Sequence, residues 1–249
     1  MDISVHIGTS GWSYPHWSGI FYPGNVKPER YLEFYSSRFS CVELNSSFYH
    51  LPQSSTVTGW VHRTPDSFIF CPKFSRYVTH ELKLLNSEVP VQNFFDVFRK
   101  LKPKIGPVLI QLPPGLSFNE PLFSGFLCML TKHYQGYRFA VEVRNKSWIN
   151  DNFFSLLKRH DIAFVIADSG NRYPYYEAVT SSFVYIRFHG REHLYASDYG
   201  DDVLHQYAEK IKQWLNEGKE VWIFFNNDFH GYAVKNAERL KDILTMRNQ

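Results

Sequence analysis

Along the chain, short apolar runs take turns with longer amphipathic stretches. Eight runs rich in Val, Ile and Phe read as strands: VHIGTS (5–10), CVELNS (41–46), FIFCPKF (68–74), PVLIQLP (107–113), RFAVEVR (138–144), AFVIADS (163–169), FVYIRFHG (183–190) and VWIFFNN (221–227). Turn-forming or polar residues bound most of them. Apolar residues near helical spacing predict helices over 28–38, 91–101, 120–134, 150–160, 202–218 and 231–244. Pro28 suits a first helical turn and Gly218 a helix stop. Over 54–64 the spacing suggests a helix that Gly59 and the β-branched residues oppose. The segment 169–182 supports no full helix.

Strands alternating with helices imply an α/β protein with a parallel sheet. With 249 residues, the pattern predicts one domain over 1–249, a TIM (β/α)8 barrel closed by eight parallel strands, with an irregular connection after strand six. The alternative is an open doubly wound sheet. That fold more often carries a Gly-rich phosphate loop after strand one, and GTSGW does not fit G-x-G-x-x-G.

Splitting each strand into its two faces brings chemistry into view. Glu43 and Asn45 share a face in strand two, as do Cys71 and Lys73 in strand three, and Leu109 and Gln111 in strand four. Ala140, Glu142 and Arg144 share one in strand five, and Tyr185, Arg187 and His189 one in strand seven. Strand six ends at Asp168 and strand eight at Asn226. A polar side chain thus stands near the carboxyl end of every strand, most often opposite an apolar face. In a barrel the mixed faces would line the axis and their last residues the mouth, where barrel enzymes keep their chemistry. Several charges gathered there would cost more to desolvate than an apolar lining, so the pattern points to a functional pocket.

Composition adds limits. The chain is 44% hydrophobic and 20% charged, enough for a full core and too ordered in character for a disordered chain. A net charge of +3 is too mild to imply nucleic acid alone. Cys41, Cys71 and Cys128 are widely spaced, without a CxxC pair, so a reducing cytoplasm is expected. Neither a signal peptide nor a membrane-spanning run is visible, and no membrane partner is expected.

The segments GTSGWSYPHWSGIFYP (8–23), VELNSSFYHLP (42–52), KFSRYVTHELKL (73–84), LIQLPP (109–114), AVEVRNKSW (140–148), ADS (167–169), YIRFHGR (185–191) and FNNDFHGYAVKNAERL (225–240) resemble the YecE-like proteins, the family called domain of unknown function 72. The likeness runs over nearly the whole chain in family order. It implies a TIM barrel and names no reaction. Its motif positions include Glu43, Asn45, Lys73, Gln111, Glu142, Arg144, Asp168, Arg187, His189 and Asn226. Asn145 stands where the family often has His, and Pro72 before Lys73 is unusual and would bend the strand end.

Glu142, Asp168 and His189 are the acid–base candidates. Glu142 and Arg144, two apart on one face, could equally be a structural ion pair. Glu43 could face Glu142 as a second carboxylate. Glu43, Glu142, Asp168 and His189 make an oxygen-rich set, but no metal-binding motif accompanies them; no metal and no cofactor is expected. Lys73, Arg76, Arg144, Arg187 and Arg191 lie at or just past strand ends and suit a phosphate or carboxylate. Trp12, Tyr14, Trp17 and Tyr22 on the first loop, and Trp148 after strand five, could stack on a sugar or base, or simply fill the rim. The expected ligand is a small anionic or sugar-like molecule, with proton transfer if the protein is an enzyme. The alternative is a nucleic acid bound or cleaved in the same basic, aromatic-rimmed mouth. A scaffold for a protein partner is the third reading.

Overall fold

The computed structural model describes residues 4–246. All eight strands form: β1 (Val5–Thr9), β2 (Cys41–Leu44), β3 (Ile69–Pro72), β4 (Val108–Gln111), β5 (Phe139–Glu142), β6 (Ala163–Asp168), β7 (Phe183–Phe188) and β8 (Glu220–Phe225). They run parallel, and helices pack outside them: α1 (Tyr31–Arg38), α2 (Ser46–Tyr49), α3 (Ser54–His62), α4 (Glu88–Phe98), α5 (Glu120–His133), α6 (Asp151–Arg159), α7 (Asp201–Asn216) and α8 (Tyr232–Thr245). Local chemistry marks several helix starts. Asn119 caps α5 by accepting from Leu122 N at 3.1 Å, and Asn150 caps α6 through Phe153 N at 2.9 Å. The helix α3 forms despite Gly59 because burial of Val57 and Trp60 outweighs its poor propensity.

The closed eight-stranded barrel expected from the strand count does not form. The ladders divide into a six-stranded sheet, β1-β8-β7-β6-β5-β4, and a separate pair, β2-β3, giving an open, curled α/β fold. Two seams separate them, and each has an identifiable cause. At the β1/β2 seam, Thr9 N should donate to β2. It donates instead to the Tyr35 hydroxyl at 2.9 Å, which passes its own proton to Cys41 O at 3.1 Å. A side chain of α1 therefore stands where a rung would be, and among the described residues Gly11 N to Glu43 O, at 2.9 Å, is the main-chain bond that crosses directly. At the other seam, Ile69 N and Lys73 N donate to β2, so the intervening position Pro72 presents its nitrogen to β4. Proline has no N–H to give. Gly106 N to Phe70 O and Phe74 N to Leu109 O are the main-chain bonds that remain there.

The apolar residues divide by face as the strand periodicity requires. An outer core lies between sheet and helices. A smaller inner cluster of Cys41, Cys71, Leu109, Val165, Tyr185, Trp222 and Phe224 fills the concave side. At the amino end of the strands His6 stacks on Trp222 at 3.8 Å and bonds Glu220 at 2.9 Å, and Arg138 also pairs with Glu220. The irregular connection expected after β6 is present; residues 169–182 contain no helix.

Candidate functional site

Above the inner cluster, toward the carboxyl ends of the strands, the concave face turns polar. Arg187 of β7 has Ala167 of β6 as its neighbour in register, and that small side chain leaves room for the guanidinium. Arg187 Nε and Nη2 grip Glu43 of β2 in a bidentate fork at 2.9 and 2.7 Å, and Nη1 donates to Glu142 of β5. Ser10 Oγ and Tyr185 Oη add bonds to the Glu43 carboxylate at 2.7 and 2.8 Å. Arg144 Nε donates to the other oxygen of Glu142 at 3.0 Å. Two carboxylates and two guanidiniums thus balance one another, and Arg187 spans the seam between the two sheets.

All four groups of the trio Glu43–Arg187–Glu142 and its neighbour His189 are fully buried. Burial by itself would raise the Glu142 pKa, but Arg187, Arg144 and His189 reverse this and hold it well below the usual carboxylate range. Burial lowers the His189 pKa, partly offset by Glu142, so its imidazole is neutral near pH 7. The Asn226 amide meets His189 Nδ1 at 3.1 Å, which leaves Nε2 to carry the proton toward Glu142 Oε1 at 3.5 Å.

These groups form a floor. Over it lies a cavity of about 400 Å³ lined by Tyr14, Asn45, Phe48, Lys73, Gln111 and Arg144, with Arg76, His80, Tyr195 and Asp228 completing the rim. In open α/β sheets, ligands bind in the crevice outside the carboxyl ends of the strands. Asn45 Oδ1 is buried without a hydrogen-bond partner among the described residues. Arg144 lies over the Tyr173 ring at 4.2 Å, and its Nη1 donates to the Tyr173 hydroxyl at 3.2 Å. The helix-free segment after β6 delivers that tyrosine. Burial, and then the Arg187 charge, bring the Lys73 ammonium down to a pKa of about 7, and burial with Lys73 and Arg76 brings His80 down to about 4.

The sequence-derived candidates fall into three groups. Asn45, Lys73, Gln111, Arg144, Asn226 and Tyr14 line the cavity. Glu43, Glu142, Arg187 and His189 lie beneath it, in mutual contact. Asp168, Trp12 and Trp148 lie elsewhere. Asp168 does not face the mouth as expected: Ala163, Val165 and Ala167 take the inner register of β6, which turns Asp168 toward α7. There it accepts from Tyr207 at 3.0 Å and Arg191 at 2.8 Å. Trp12 packs edge-on against Trp60 of α3 at 5.6 Å. Trp148 is buried among Phe118, Phe123 and Phe153 with its Nε1 on Leu116 O. Strand alternation alone missed Phe48, His80, Tyr195 and Asp228, because they lie beyond the strand ends, Phe48 on α2, His80 on a helical turn over Tyr77–Glu81, and Tyr195 and Asp228 on connections. Phe48, His80 and Asp228 nevertheless fall within the quoted family-like segments. Of the oxygen-rich set, Asp168 lies apart and Glu43, Glu142 and His189 surround Arg187, not an empty cation position; no group of three His, Cys, Asp or Glu among the described residues could hold a metal ion.

Fold and site together define the class: an open, curled, parallel α/β protein with a basic, amide-lined cavity at the carboxyl ends of its strands. Residues 6–249 match the family model described as "Protein of unknown function DUF72", and the chain belongs to that family. The UPF0759 protein YunF of Bacillus subtilis (strain 168) is 27% identical over 274 residues, covering 96% of this chain and 94% of YunF. The UPF0759 protein YecE of Escherichia coli (strain K12) is 32% identical over 142 residues, 57% of this chain and 48% of YecE. A DUF72 family protein (TM1631) from Thermotoga maritima MSB8 has a TM-score of 0.88 and 30% identity, covering 98% of this chain and all of that one. A second solved member, from Enterococcus faecalis V583, reaches 0.83 at 22% identity and speaks to the fold alone. Among the described residues no helix is long and apolar enough to cross a membrane.

Proposed function

We propose that the cavity binds a small organic anion, carrying a carboxylate or phosphate and further hydroxyl or sugar-like groups. The observation that carries this reading is the state of Arg144. Its Nε and Nη1 are committed to Glu142 and Tyr173, while its Nη2 has no partner among the described residues, in a wall it shares with Lys73 and Arg76. A guanidinium held by its own carboxylate at one edge is pre-organised to take an anion at the other. Asn45, Gln111 and Asn226 supply amide groups suited to hydroxyls. Arg187, saturated by two carboxylates, supports the wall from below rather than touching the ligand.

A thermal-shift panel of phosphorylated metabolites, hydroxy and keto acids, sugars and nucleotides tests the reading. One anionic class should raise the melting temperature, and Arg144→Ala should weaken that ligand about tenfold or more, as loss of a charged hydrogen bond does. Equal shifts in Arg144→Ala and the unaltered protein would overturn it. The nucleic-acid alternative is an outcome of the same work: an affinity that falls steeply with salt marks many phosphate contacts, and a shallow slope marks one small anion.

A further inference from the structure

We infer that Lys73 is a nucleophile, and that the anion taken by this cavity carries an aldehyde or ketone with which the Lys73 Nζ forms an imine. The inference rests on the anion-binding reading above and specifies its substrate class.

The chain contains its own control. Lys104 and Lys73 are both nearly buried, 4% and 7% exposed. Lys104 has what a buried ammonium needs: Val61 O and Thr64 O at 2.9 Å, Thr64 Oγ1 at 3.3 Å, and the Asp66 carboxylate at 3.8 Å. Lys73 Nζ has no such acceptor among the described residues. It lies 3.9 Å from the centre of the Phe48 ring and opens into the cavity. An ammonium left without acceptors in a site shared with other cations is disfavoured relative to the free amine. The charged and titratable groups around it are Arg187, Arg144, Arg76 and His80, against Glu142 and Glu43, with Asp228, Tyr14, Tyr49 and Tyr195 lining the same cavity. Glu142 and Glu43 are already engaged by the buried Arg187 and the partly buried Arg144, and Asp228 faces His16 at 3.8 Å. A desolvated lysine beside other cations is a recognised arrangement for Schiff-base chemistry.

The reaction balances within the site. Nζ bonds to the carbonyl carbon as the C=O electron pair moves to oxygen. The two amine protons and that oxygen then leave as water, giving the imine, which takes one proton to become the iminium. His80 lines the same cavity. Thr79 Oγ1 donates to Ser75 O, so it accepts from His80 Nδ1 at 2.8 Å, and Nε2 is left as an unprotonated acceptor. The ligand's own anionic group faces Arg144 across the same cavity.

The test is imine trapping with pyruvate and cyanoborohydride on the intact chain, read by peptide mapping, with lactate binding measured in parallel. Lys73 should gain the carboxyethyl group at least about tenfold faster than the exposed Lys146, with a rate that rises through a midpoint near pH 7. At that pH roughly a thousandfold more of such an amine is unprotonated than of an ordinary lysine, though its lower basicity makes it a weaker nucleophile. Lys73→Met should lose that label and keep the others. Trapping with formaldehyde, which needs no anion site, separates the two readings. Slow Lys73 labelling by both reagents overturns the nucleophile whatever lactate does. Fast labelling by formaldehyde with no preference for pyruvate and no lactate binding keeps the reactive amine and removes the anion site, and with it the substrate class.

Discussion

At the scale of single residues, the site is governed by which charges have partners. Glu142 and Glu43 are fixed on Arg187, so removing one carboxylate leaves a buried guanidinium half-compensated. Glu142→Gln should therefore destabilise the protein by about 3–5 kcal/mol, measured by urea unfolding at pH 7. The pH dependence has a definite sign. Because the folded protein lowers the Glu142 pKa, its contribution is complete above the unfolded value of about 4.3 and is lost as pH falls toward the folded one. Glu142→Gln should flatten that acid limb. Lys73 works the other way. Its pKa is lowered on folding to about 7, so stability falls as pH drops from about 10.4 to 7, and the penalty persists below that. Lys73→Met should then raise the melting temperature at neutral pH while abolishing imine trapping. A melting temperature below that of the parent chain would contradict this account of the amine. Gains of stability at the expense of function are a common mark of strained sites.

At the scale of elements, the strands and most helices are legible in the hydrophobic pattern, because each buries one face and its period declares it. The ends of the ladders are not legible. The two seams depend on a tyrosine hydroxyl from α1 entering between strands far apart in sequence, and on which way a proline nitrogen happens to face. No periodicity encodes either. Tyr35→Phe should leave Thr9 N and Cys41 O without their shared partner and cost about 1–3 kcal/mol, with faster amide exchange at Thr9 than in the middle of β7. Gly8→Ala should be worse, since its Cβ would meet Cys41 O at 2.3 Å across that same seam. The faces of β2, β3, β4, β5 and β7 follow from alternation and bring Glu43, Lys73, Gln111, Glu142 and Arg187 together. In β6 the alternation misleads for Asp168, because the small residues Ala163, Val165 and Ala167, the last beside Arg187, take the inner face. The residues that shape the rim sit beyond the strand ends, on segments whose path the pattern does not fix.

At the scale of the whole molecule, polar layers at the two ends of the concave face serve different ends. The ring of His6, Glu220 and Arg138 at the amino ends of the strands, with Trp222 across it, closes that side. The aromatic and aliphatic cluster above it carries no cavity-lining residue, and the Arg187 layer roofs that cluster. The hollow at the carboxyl ends is therefore a blind sac and not a tunnel. Whatever enters leaves by the same door, so an arriving molecule and a departing one compete for one passage. A long chain could not be threaded through it.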